Sequence, residues 1–159
     1  MKDGCFTLVI ESHMKHIAGY GFDFGWGQGY VLLPDIHPFY GVDYDDLYIN
    51  IHGGLTFGKK FESDHFLEWI KDVEIDGDVN VENFKDFDNY WIIGFDTGHY
   101  NDSLFNCPKS YVLSETNRLL DQCISDNVEG IKKYRKKYII DIRRKKLQKI
   151  SIIDKRNKG

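Results

Sequence analysis

Tyr90 to Phe95 reads Tyr-Trp-Ile-Ile-Gly-Phe, a short apolar run that stops at Asp96. Its length marks a buried strand, and a buried strand needs neighbours on both edges and cover on its faces. Beyond it the chain turns through Thr97 and Gly98 and presents His99 and Asp102. Three groups able to bind a metal or move a proton therefore leave one strand end together. Upstream, Asp43, Asp45, Asp46 and the turn His52-Gly53-Gly54 are the natural partners for them.

The neighbouring elements are legible by composition and period. Cys5 to Glu11, with β-branched and aromatic residues, reads as a first strand, and Gly29 to Leu33 as a second that Pro34 stops. Leu47, Ile49 and Ile51 alternate with Tyr48 and Asn50, a strand pattern, and Leu55 to Phe57 reads as a short strand after the glycine bend. Asp64 to Asp72 carries Phe66, Trp69 and Ile70 at helical spacing, with Ser63 or Asp64 as the cap. Alternation on both sides of Asp76-Gly77 predicts a hairpin. Ser110 to Ile124 is the clearest helix, with Leu113, Thr116, Leu120, Cys123 and Ile124 along one face and Pro108 just upstream.

Between the first two strands lies Gly-Tyr-Gly-Phe-Asp-Phe-Gly-Trp-Gly-Gln-Gly, residues 19–29. Glycine at this density does not build a helix, and the run lacks the order of a nucleotide-binding fingerprint. It reads as an aromatic loop or a twisted hairpin. As a loop it would offer Tyr20, Phe22, Phe24 and Trp26 for stacking on a base or plugging a groove.

The net charge of −4 hides a division. Residues 1–126 hold 8 Lys/Arg against 22 Asp/Glu, whereas residues 127–159 hold 13 against 3. The expected organisation is an acidic α+β domain over 1–126 and a basic helical extension over 127–159. In the extension Ile131, Tyr134, Tyr138 and Ile142 recur at helical steps. The tail either docks on the acidic body or contacts nucleic acid, another acidic partner or a membrane surface. No apolar run approaches the roughly 20 residues of a transmembrane helix, and Met1-Lys2-Asp3-Gly4 lacks a secretory layout, so a cytoplasmic protein is expected. Cys5, Cys107 and Cys123, odd in number and far apart, give neither a zinc knuckle nor a disulfide framework.

Carboxylates mixed with imidazoles suit a divalent ion such as magnesium, manganese or zinc. The metal ligands expected are His52, Asp96, His99 and Asp102. Without a metal, His99 beside Asp96 forms a general base with a carboxylate to orient it, the pair expected to be catalytic. His37, Asp45, Asp46, His52, Gly53, Gly54, Asp102 and Trp26 are the expected ligand-binding residues. The bland alternatives are that Asp96 ties a turn and His52 donates to a backbone carbonyl.

Several short motifs occur in a set order. Tyr30-Val31-Leu32-Leu33-Pro34 leads to His37-Pro38-Phe39-Tyr40-Gly41 and Asp43-Tyr44-Asp45-Asp46, and His52-Gly53-Gly54-Leu55-Thr56 follows. Gly94-Phe95-Asp96 then precedes His99 and Asp102. This order resembles a family of small proteins common in bacteriophage and prophage genomes, over roughly residues 28–124. The resemblance implies that His37, Gly41, Asp45, Asp46, His52, Gly53, Gly54, Asp96, His99 and Asp102 are the family's shared polar positions, and it supplies no activity. The aromatic-glycine run and the basic tail are departures from it.

The fold expected is α+β, a mostly antiparallel sheet with the 110–124 helix packed on it and a basic C-terminal helix. The leading functional expectation is a phage-type accessory protein of the host cytoplasm that acts by binding. Its partner would be a host protein or nucleoprotein complex, as for an inhibitor of host defence, or a small nucleotide that it sequesters. The alternative is a small metal-dependent phosphoester or nucleotide hydrolase, and a third reading is a nucleic-acid contact led by residues 127–159.

Overall fold

Alternating β-branched and aromatic residues with few charges produce strands whose two faces are both apolar, and such strands must be covered on both sides. The computed structural model describes residues 3–13, 24–125, 140 and 144. Its strands are β1 (Phe6–Glu11), β2 (Gly27–Leu33), β3 (Phe57–Lys60), β4 (Ile75–Gly77) and β5 (Trp91–Asp96). They form one antiparallel sheet in the order β3-β5-β2-β1-β4. With helices α1 (Ser63–Trp69) and α2 (Lys109–Ile124) packed against it, the fold is α+β.

The sheet's period of two divides the core in half. Val9, Val31, Leu33, Ile93 and Phe95 face α2 and pack on Val112, Leu119, Leu120 and Cys123. Leu8, Ile10, Tyr30, Leu32 and Ile92 face the other way, onto Phe61, Phe66 and Ile70 around α1 and onto Phe84 and Phe87. Those last two belong to a 3₁₀ helix, Val81–Phe87, capped by Asn80. Each fully buried side chain of this kind stabilises the fold by about 1.5–3 kcal/mol. Helix α2 approaches β2 closely because Gly29 leaves room: a Cβ there would stand 2.1 Å from Thr116 Oγ1.

The structure differs from the sequence expectations at several elements. β5 does have a neighbour on each edge, β3 and β2, although the middle strand of the five is β2. Leu47 to Ile51 joins no strand ladder although its alternation is real: Ile51 is buried and Tyr48 wholly exposed. Its backbone is satisfied by α2 side chains instead, Gln122 Oε1 accepting from Asn50 N and Arg118 and Gln122 donating to Asn50 O. Asp76-Gly77 forms no hairpin. Residues 75–77 pair with β1, and Asp78 accepts from the amide and hydroxyl of Thr7. Neither Ser63 nor Asp64 caps helix α1: the cap position is Glu62, whose side chain makes no capping bond, and Ser63 is the first helical residue, its amide and hydroxyl both donating to Asp88. The expected basic helix, apart from Ile140 and Arg144, lies outside the described residues, as do Tyr20 and Phe22. Among the described residues no helix is long and apolar enough to cross a membrane.

Candidate functional site

Two sites lie at the end of β5, one on each face of the sheet. On the α2 face, His52, His99 and Asp102 come together. His52 Nε2 stands 3.0 Å from Asp102 Oδ2, and His99 Nδ1 stands 3.3 Å from the same oxygen. The amide of His99 donates to that oxygen as well, at 2.9 Å, which folds the turn after β5 over the carboxylate. Helix α2 fixes the other partner: Glu115 Oε2 accepts from His52 N at 3.0 Å, and the Tyr111 hydroxyl lies 3.1 Å from His52 Nδ1. With Asp102 ionised, His52 carries its proton on Nε2 and accepts from Tyr111 at Nδ1. The rings of His52 and His99 meet edge to face with centroids 5.4 Å apart. Gly53, at φ +61°, makes this contact feasible, since a Cβ on it would stand 2.2 Å from His99 Cε1.

The electrostatics follow from this network. Burial opposes the charge on Asp102, but hydrogen bonds from the His52 side chain and the His99 amide outweigh it and hold the carboxyl below its usual range. The same charge acts on Cys107, whose Sγ lies 3.6 Å from Asp102 Oδ1. Burial first, and Asp102 second, push this thiol up to about 11, so it stays protonated and donates. The site is partly open: the side chain of His99 is 37% exposed, that of Asp102 only 8%.

Asp96 is absent from this group, and the strand period says why. Pairing places Gln28, Tyr30, Gly94 and Asp96 on the α1 face, opposite Phe95 and the triad. Asp96 Oδ1 ties the turn by accepting from Gly98 N, the bland role set out for it, and it makes no hydrogen bond to His99. It also lines a cavity of about 260 Å³ together with Gln28, Tyr30, Phe24, Phe57 and Trp69. Tyr30 is 3% exposed, and among the described residues its hydroxyl has no hydrogen-bond partner. Burial, and then the charge of Asp96, raise its pKa above the ordinary tyrosine value.

The other expected residues are placed as follows. His37 is buried and structural: its Nε2 donates to Cys123 O at 2.9 Å and its Nδ1 accepts from Phe39 N. Burial lowers its pKa to about 4, so it is neutral. Trp26 is 7% exposed in the α2 half of the core, so the expectation of a ring free to stack on a base is corrected. Residues 27–29 are strand rather than loop. Asp45 and Asp46 lie exposed on a 3₁₀ turn capped by Asp43, and neither belongs to the His52 group. Gly54 bonds back to Ile51 O and has open space at its Cβ position.

Sequence reading missed Tyr111, Glu115 and Cys107 at the first site and Gln28, Tyr30 and Trp69 at the second. One signal was available: Glu115 and Tyr111 are four apart, and Glu115 interrupts the face of α2 that the core requires to be apolar. Compared with protein-family models, with curated proteins and with solved structures, the chain matches none.

Proposed function

We propose that the protein works by binding a small nucleotide in the cavity on the α1 face, as a phage-type accessory protein that sequesters its ligand. The observation that carries this is the Tyr30 hydroxyl, without a partner among the described residues, at the wall of a cavity that Phe24, Phe57 and Trp69 line together with Asp96 and Gln28. A site of mostly apolar lining with a few convergent polar groups is the general form of a small-molecule pocket. Here Phe24, Phe57 and Trp69 supply faces for a planar ring, and Asp96, Gln28 and Tyr30 supply its polar edge. A carboxylate accepts from adjacent ring N–H and exocyclic amino groups, while an amide and a hydroxyl donate to a carbonyl. That donor pattern belongs to guanine. The volume suits a base with its sugar and phosphate outside. Lys59, whose Nζ lies 5.6 Å from the Phe57 ring centroid, offers a phosphate positive charge in a body otherwise rich in carboxylates. The phage attribution is supported by the order of sequence motifs alone.

The test is titration of the purified chain with guanosine monophosphate, followed by tryptophan fluorescence and calorimetry, beside the adenine, cytosine and uracil nucleotides. Guanine should be preferred, with at least tenfold weaker binding in Asp96→Asn and Trp69→Ala. No nucleotide binding, or binding indifferent to both substitutions, would refute the proposal.

A second reading has its own observation. Tyr100 is 95% exposed and Phe105 96% exposed on a turn braced by bonds among Asn101, Ser103 and Asn106. Rigid exposed aromatics are the kind of anchor that protein interfaces bury. Photo-crosslinking from residue 105, with residue 81 on the other face as control, tests whether a host protein docks there.

A further inference from the structure

We propose that His52, His99 and Asp102 hold a divalent metal ion of the zinc class, through His52 Nε2, His99 Nδ1 and a carboxylate oxygen of Asp102. Donor atoms of the three residues all lie within 4.8 Å of one another. Two of the separations are 3.0 and 3.3 Å. Ligand atoms about 2.0–2.2 Å from one ion stand roughly 3.0–3.5 Å apart at octahedral to tetrahedral angles, so the two separations to Asp102 already match, and the His52–His99 separation, bounded at 4.8 Å, closes by rotation of the half-exposed His99 ring. Two imidazoles with one carboxylate form a borderline donor set, which suits zinc, cobalt or nickel better than magnesium or calcium.

The support around the ligands suits the same role. Helix α2 anchors His52 twice, at its amide through Glu115 and at Nδ1 through Tyr111. When Nε2 binds an ion, the imidazole proton moves to Nδ1 and is donated to the Tyr111 oxygen, an outer-sphere bond of the type that orients metal-bound histidines. With Nδ1 on the ion, the His99 ring carries its N–H at Nε2. His99 and Asp102 arrive from one turn, three residues apart, and His52 arrives from another that Gly53 lets approach within van der Waals contact. Three protein ligands leave a coordination position for water, and the His99 side chain is open enough to solvent for an ion to enter. The site stands on the face of the sheet opposite the nucleotide cavity, so this inference does not depend on the proposed function.

The experiment is a Co²⁺ titration of the 159-residue chain freed of metal by chelation, read by visible d–d absorption, with calorimetry for Zn²⁺. One equivalent should bind. Affinity should fall at least tenfold in His52→Ala and in His99→Ala, and should be kept in Asp96→Asn. Because His99 is half-exposed, His99→Ala should retain the wild-type circular dichroism and so separates ligand loss from unfolding. No saturable binding by the wild-type chain would show the three residues to be a hydrogen-bond network only, and binding that survives His99→Ala would place the ion elsewhere. Either result overturns the proposal.

Discussion

The ring of Tyr30 lies across Gly94, its partner in the β2–β5 ladder: a Cβ at position 94 would stand 2.2 Å from Tyr30 Cδ1 and 2.6 Å from Gly29 O. The glycine of the Gly-Phe-Asp motif thus has a spatial reason. Its absent side chain admits the ring that lines the cavity, Phe95 turns into the α2 core, and Asp96 returns to the cavity face.

Gly94→Ala should therefore destabilise the fold by about 1–3 kcal/mol through overpacking. The backbone oxygen on one side cannot move as a flexible side chain would. Nucleotide affinity should fall with stability, because Tyr30 must leave its place. Urea denaturation reads the first effect and fluorescence titration the second. An unchanged urea midpoint would show that the close approach is relieved without cost.

These relationships show how far the sequence could be read. β5 was legible from the length of its unbroken apolar run, and α2 because its apolar residues keep a helical period. His52, His99 and Asp102 were gathered correctly, since both turns sit at the same end of adjoining segments. The grouping of Asp96 with them failed on a countable point: in a strand, Asp96 must face as Gly94 does, opposite Phe95. The segment 47–51 misled for a different reason. Alternation reports which side chains are buried, and it is silent on whether the backbone's partner is a strand or, as here, the side chains of Arg118 and Gln122.

His37 should make the protein sensitive to mild acid. Its imidazole titrates near 6.5 when the chain is unfolded and near 4 when it is folded, lowered by burial. Between these values the unfolded chain binds the extra proton. The contribution of neutral His37 is therefore complete above about pH 6.5 and is lost progressively as pH falls toward 4, by roughly 3 kcal/mol at most. His37→Gln lacks this titration, so its stability should vary less with pH across that window although it starts lower. Urea midpoints measured at intervals through the window compare the two slopes. Equal slopes would mean that His37 is solvated in the native state.

The three thiols should be silent in the native protein. Cys5, Cys107 and Cys123 are all buried, and burial together with the charge of Asp102 lifts Cys107 to about 11. Against an ordinary value of 9.0 this lowers the thiolate fraction about a hundredfold near pH 8, before access is considered. Ellman's reagent should find no fast-reacting thiol among the three in native buffer and all three in urea. Asp102→Asn removes the charge and should make Cys107 the first to react. A fast native reaction at Cys107 in the wild-type chain would contradict its placement.

Gly53 and Gly54 allow the His99 contact to be weighed separately from backbone strain. Both have positive φ, +61° and +86°, so an alanine at either position is strained by about 1–2 kcal/mol. Space around Gly54 is open, whereas a methyl on Gly53 meets the imidazole of His99 at three ring atoms, the nearest 2.2 Å away. Gly54→Ala should thus lower stability modestly and leave Co²⁺ affinity near wild type. Gly53→Ala should lower stability by a similar amount, since half-exposed His99 can swing aside, yet weaken Co²⁺ binding at least tenfold because the displaced ring no longer shares a centre with His52 and Asp102. Urea denaturation and the Co²⁺ titration, run on both variants, separate the two effects. Equal Co²⁺ affinities in the pair would mean that the position of His99 over Gly53 is irrelevant to the ion.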